Sequence, residues 1–184
     1  MSLAYDEPSW TLPDLLALPD DGRHHELLWG KIVMNPVPSA RHADYVDDLA
    51  AALRQICPAH LRVRTNSGIV IPGTPVINAP GADLYLAPRS AVAAPYIAAT
   101  DVRLVIEVSL STIHRDNDPK AAAYAAGKIP WYWVVQRDRS IHVHRLDPAG
   151  GYEVAQVARP GAAVRILGPE ELDFSFDPVA LGQA

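Results

Sequence analysis

Two carboxylates stand where a soluble chain would not place them for packing alone. Asp83 opens the run DLYLAP (83–88), and Glu107 lies inside LVIEVSLST (104–112), between Ile106 and Val108. A charged side chain in a run built for burial is costly unless it is paired or bound to a metal. If adjacent strands bring the two acids together, they repel, and one would normally take a proton. A divalent cation removes that repulsion, and Mg²⁺ accepts one or two carboxylates plus waters. Such an ion activates water and polarises phosphoryl oxygens. Lys120 follows on the next predicted helix; if that helix packs back over the sheet edge, its ammonium reaches the same cleft. The competing reading makes Glu107 a structural acid paired with Arg103 or Lys120, and Asp83 a strand opening after the turn PGA.

The elements that must position these groups follow from periodicity and breakers. WTLPDLLALPDDG reads as a short helix stopped at Pro19. HHELLWGKIVMNP reads as two strands of a meander with a turn at Gly30, closed by Pro36. Over residues 42–57, Val46, Leu49, Ala50, Leu53 and Ile56 recur three and four apart, giving one apolar helical face, and Pro58 ends it. LRVRTNSGIVIP reads as strands around a turn at Asn66 to Gly68. DLYLAP and VRLVIEVSLS are strands, the second apolar on both faces and therefore interior. RDNDPKAAAYAAGK is a helix, with Asp118 as N-cap, Pro119 at its first position and Gly127 as its stop. PWYWVVQRD, SIHVHRLD and YEVAQVA form a meander, AVRILG is a last short strand, and the tail ends in a helical turn. The expected fold is an α/β domain with a mixed central sheet, a long helix on one face and a shorter helix elsewhere. One domain spans 1–184, with 1–9 irregular.

Bulk properties narrow the function classes. At 184 residues with 49% hydrophobic content the chain can bury a single sizeable core. Seventeen prolines, about twice the usual share of roughly 5%, cluster in short connectors such as IPGTPVINAPG. A net charge of −5 argues against strong non-specific grip on a phosphate backbone, so any nucleic-acid role rests on a local positive patch or a metal. Arg23, Lys31, Arg41, Arg62, Arg64, Arg115 and Lys128 are the candidates for phosphate contact, against a default of scattered solvated charges. The single cysteine, Cys57, excludes an intrachain disulfide and suits a reducing, cytoplasmic setting; it reads as a small filler. No run approaches the ~18 apolar residues of a membrane span, and the acidic MSLAYDEPSW, broken by Pro8, is unlike a secretory leader. His142 and His144 lack a third zinc ligand and read as solvent-facing on a hairpin. Trp131, Tyr132 and Trp133 read as core or as a dimer seam.

The segments HELLWGK, PSARH, ADLYLAP, IEVSLST and DNDPKAAAYAAGKIPWYWVV, in this order over roughly residues 10–175, resemble the Uma-two family of restriction-endonuclease-like proteins, within the PD-(D/E)XK nuclease superfamily. The resemblance implies a restriction-endonuclease-like fold. It makes Asp83 the motif aspartate and Glu107 the motif glutamate. The superfamily's usual lysine position is Ser109 here, and Lys120 matches a lysine this family carries on the next helix. Glu26 matches a family acid and is a further ligand or water-holding group. His42 matches a recurrent histidine, read as a helix-start residue bonding to a loop. Asp116 matches a recurrent aspartate and is given no catalytic role. Departures stand at Ala82, Lys31, Leu110 and Trp131. The implied activity is cleavage of DNA by a Mg²⁺-dependent (or Mn²⁺-dependent) endonuclease: Asp83 and Glu107, helped by Glu26 and the Val108 carbonyl, hold the ion, and Lys120 orients water or stabilises charge on phosphorus. A homodimer would supply two sites for the two strands. The alternative is a catalytically inactive module binding nucleic acid or protein on the same fold; a third reading is hydrolysis of another phosphate compound.

Overall fold

A computed structural model describes residues 9–19, 22–73, 76–92, 95–110, 119–170 and 172–183. Helix α1 (Leu12–Leu16) is followed by strands β1 (His24–Leu28) and β2 (Lys31–Asn35), then by the long helix α2 (Ala40–Ile56). Strands β3 (Leu61–Val70), β4 (Gly81–Pro88), β5 (Ile97–Ala98) and β6 (Leu104–Ser109) precede helix α3 (Pro119–Ala126). The chain ends in β7 (Trp131–Gln136), β8 (Ile141–Leu146), β9 (Tyr152–Ala158), β10 (Val164–Ile166) and β11 (Phe174–Phe176), with a 3₁₀ turn at Pro178–Ala180.

Seven strands form one mixed sheet in the order β5-β3-β4-β6-β7-β8-β9. The interior position expected for LVIEVS is observed: β6 runs antiparallel to β4 on one side and parallel to β7 on the other. A parallel neighbour requires a crossover, and α3 lies in it. One face is covered by α2, whose Tyr45, Val46, Leu49 and Leu53 pack on Leu84, Ile106, Trp133 and Val135. On the other, Ala123 and Tyr124 of α3 and Leu28 of β1 pack on Tyr85, Val105 and Tyr132. Tyr132 and Trp133 therefore belong to the core, one on each side of the sheet, as alternation along a strand requires.

Several sequence expectations are revised. LRVRTNSGIVIP contains no hairpin: β3 runs unbroken from Leu61 to Val70, pairing with β4 from Leu61 to Gly68 except at Asn66 and with β5 at Ile69 and Val70. Asn66 adopts φ 47° within it, and the ladder skips from Thr65↔Leu84 to Ser67↔Ala82. The turn-forming residue bends the strand instead of ending it, because both halves bury side chains (Leu61, Val63 and Ile69) against the same sheet neighbours. α2 begins at Ala40, two residues early, because Ser39 accepts the His42 amide and acts as its N-cap. The acidic tail contributes more than a helical turn, since β11 within it pairs with β10. His144 is half-buried against the Tyr132 ring, not solvent-facing. Asp116 and Asp118, including the proposed N-cap, and the first eight residues lie outside the described residues.

Candidate active site

Strand register brings the two acids to one end of the sheet. The β4–β6 ladder pairs Leu86↔Leu104, Tyr85↔Val105 and Leu84↔Ile106, so its next step sets Asp83 against Glu107. That end also holds the start of α2 and the first turn of α3. Asp83 is held from β6 and α2: the Val108 amide donates to its Oδ2 at 2.7 Å, and His42 Nε2 lies 3.1 Å from the same oxygen. His42 thus starts α2 as expected but bonds to a strand carboxylate, not to a loop. It faces the motif aspartate, whose hydrogen bond, outweighing the effect of partial burial, raises the imidazole above its usual pKa.

Glu107 faces the α3 side. Tyr124 Oη donates to its Oε1 at 2.6 Å, and the Lys120 ammonium lies 3.4 Å from its Oε2. Burial above all pushes the Glu107 carboxyl up; the Lys120 charge and the Tyr124 hydrogen bond pull it back, Asp83 and Glu26 add to the rise, and the net is about 8. Lys120 also reaches Glu26 Oε1 at 2.9 Å and donates to the Gly81 carbonyl at 2.7 Å. Burial alone would lower the Lys120 pKa, but Glu107, Glu26 and Asp83 together raise it above the ordinary lysine range. Lys120 thus pairs with both acids, more closely with Glu26.

Glu26 is not a surface acid: it is 4% exposed, on β1, with Asn35 Nδ2 of β2 donating to its Oε1 at 2.6 Å. Its other oxygen, Oε2, is buried and bonded to nothing among the described residues. The β1–β2 turn fixes this corner. Trp29 and Gly30 both have positive φ, 53° and 75°, matching a two-residue hairpin turn. The Trp29 indole N–H donates to the Pro119 carbonyl at 3.0 Å, tying the turn to the residue before Lys120.

All four acids and bases singled out in the sequence, Glu26, Asp83, Glu107 and Lys120, thus meet at one end of the sheet. Reading the sequence missed Tyr124 and Asn35. Tyr124 had a signal, its spacing of four from Lys120, which places both on one helical face. Asn35 had none beyond its pairing distance across the hairpin.

The Uma2 family profile, described as "Putative restriction endonuclease", matches residues 12–177. The chain belongs to the Uma2 family. A crystal structure from Anabaena variabilis, titled as that of a putative nuclease, shares this fold with a TM-score of 0.62 and 16% identity, covering 90% of this chain and 94% of that one. Among curated proteins none matches the chain. Like the Anabaena protein, this Uma2 member has a mixed α/β architecture built on a large sheet. Among the described residues, no helix is long and apolar enough to cross a membrane.

Proposed function

We propose that this Uma2 protein is a metal-dependent endonuclease that hydrolyses DNA phosphodiester bonds inside the cell. The observation that carries the reading is the lysine drawn in among the carboxylates where β4, β6 and α3 meet. Family membership supports a nuclease over other hydrolases. The donor set would suit a small hard cation: two carboxylates, Asp83 and Glu107, set opposite each other by the β4–β6 register, with waters completing the shell. The Glu26 Oε2, buried without a hydrogen-bond partner among the described residues, would be free to accept from a water of such a cation. Among the described residues no three acids, histidines or cysteines are grouped around one point. The cation proposed is Mg²⁺ or Mn²⁺, on the ground that oxygen donors suit these ions and that Mg²⁺ keeps several waters when bound. When bound, it supplies an activated water and a Lewis acid for the phosphate.

The chain's own residues do the remaining work. Tyr124 orients Glu107, and the Val108 amide and His42 orient Asp83. Glu26 and the Gly81 carbonyl aim the Lys120 ammonium, which counters the charge developing on phosphorus. A second reading, a binding module without catalysis, draws on one observation: Lys120 and His42 already satisfy much of the acids' charge.

Plasmid nicking separates the two. Cutting that needs Mg²⁺ or Mn²⁺, stops with EDTA and vanishes in Glu107→Gln, at unchanged melting temperature, is the expected result. DNA binding without any cutting, unaltered by Glu107→Gln, would leave the binding module.

A further inference from the structure

Three arginines outside the acid cleft stand close together in the chain's fold beside it: the Arg41 guanidinium meets the backbone of the turn that carries Arg137 and Arg139. Arg41 stands one residue before His42, and its Nη2 donates to Tyr45 Oη at 3.1 Å and to the Arg137 carbonyl at 3.3 Å. Its guanidinium also lies over the Tyr45 ring, 5.5 Å from the centroid. Arg137 and Arg139 belong to the turn joining β7 to β8, which begins directly after Gln136, the partner of Ser109 in the β6–β7 ladder. Arg139 is held at φ 69°, and its amide bonds the Gln136 carbonyl at 2.9 Å. The start of α2, the end of β6 and this turn thus share the end of the sheet that carries Asp83 and Glu107.

None of the three arginines is neutralised by a carboxylate among the described residues, although Arg41 is hydrogen-bonded to Tyr45 and the Arg137 carbonyl. The turn's one acid, Asp138, is occupied by the amide and hydroxyl of Ser140 at 2.9 and 2.6 Å. The Arg41 and Arg137 side chains are exposed, while the Arg139 Nε is buried with no acceptor among the described residues. A buried donor left without an acceptor is uncommon and unfavourable. On a chain of net charge −5 this is a local concentration of positive charge, in rigid backbone settings, beside an acidic cleft.

We infer that Arg41, Arg137 and Arg139 form a phosphate-binding rim that grips the nucleic-acid backbone flanking the cleft. Guanidinium groups match phosphate oxygens through paired N–H donors. The rim offers its cations at the edge of a site whose own acids would repel a polyanion. This rests on the nuclease reading of the neighbouring cleft and deepens it: substrate is held by its backbone, on the α2 side.

Binding of a fluorescein-labelled duplex in EDTA, followed by anisotropy from 50 to 200 mM salt, tests the rim. Arg137→Gln and the double variant Arg137→Gln/Arg139→Gln are the informative proteins, because Arg41 also braces Tyr45 and replacing it would disturb the fold as well as the rim. The double variant should bind about tenfold more weakly at low salt, with the slope of log affinity against log salt shallower by about 0.9 for each phosphate it no longer neutralises. Arg54→Gln, at the far end of α2, should bind as wild type does. Equal affinity and slope in wild type and double variant overturn the rim, as does an equal loss in Arg54→Gln. Wild type that cuts plasmid while the double variant cuts as well leaves the nuclease standing and removes the rim. Wild type that binds through these arginines but never cuts keeps the rim and removes the nuclease. Wild type that binds no DNA in EDTA removes the rim, and metal-dependent plasmid nicking then decides the nuclease separately.

Discussion

A carboxyl whose folded pKa is about 8 holds a proton that the unfolded chain releases near its usual 4.5. Between those values the native state binds more protons, so Glu107 makes stability fall as pH rises, by at most about 1.4 kcal/mol per pH unit. The raised His42 adds a slope of the same sign above 6.5, so the useful quantity is a difference. Urea denaturation from pH 5.5 to 7.5 should show Glu107→Gln gaining on wild type as pH rises; parallel curves would mean that Glu107 is already ionised throughout. A cation must displace the same proton. Affinity for Mn²⁺, measured calorimetrically, should therefore rise by up to about tenfold per pH unit towards 8, with proton release scaling with buffer ionisation enthalpy. Lys120 stays charged past the ordinary lysine range, so its contribution is complete at neutral pH. Lys120→Met would leave Glu26 and Glu107 buried without their cation, a loss of about 3–5 kcal/mol in the same denaturation measurement. Asp83 and Glu107 were legible in the sequence because a charge in an apolar strand needs a reason. The roles of Tyr124 and His42 were less so: Tyr124 is spaced to share Lys120's helical face, but a tyrosine in an alanine-rich helix and a histidine at a helix start are equally at home in ordinary packing.

At the scale of elements, the site depends on two left-handed residues that sequence patterns describe poorly. The hairpin turn at Gly30 was legible because glycine tolerates positive φ, yet Trp29 shares that conformation and carries the link to Pro119. Asn66 was legible as a turn former and misleading for that reason. Asparagine tolerates the left-handed region, and pairing on both sides of it keeps β3 continuous. The skipped ladder position lies opposite Asp83, so the bend falls where the motif aspartate leaves regular pairing with β3. A β-branched residue there is strained. Asn66→Val should cost about 1–2 kcal/mol, while Asn66→Gly should stay close to wild type, and thermal melts of the pair decide the matter. If both variants melt as wild type does, the backbone at 66 is not confined to positive φ.

Across the whole molecule, the sheet is sealed on its α2 side by residues from the last part of the chain. Ile166, Leu172, Phe174 and Leu181 join the core formed by α2 and the inner strands, and Phe174 stacks between Trp133 and Phe176 with ring separations of 6.1 and 5.2 Å. Asp48 of α2 accepts the Gly182 amide at 2.7 Å, fastening the tail back onto the helix whose first turn carries Arg41 and His42. The sequence showed α2's apolar stripe but not what would share it, because LDFSFD alternates over too few residues to announce a strand. The consequence is that the tail and the site are parts of one cooperative unit. Phe174→Ala removes an aromatic ring from a closed layer, for which the expected loss is about 3–5 kcal/mol. It should lower the midpoint of a single transition seen identically by tryptophan fluorescence and far-ultraviolet circular dichroism. An early fluorescence transition around Trp133, with the helical signal intact, would show instead that the β10–β11 hairpin detaches by itself and that α2 holds the site end without it.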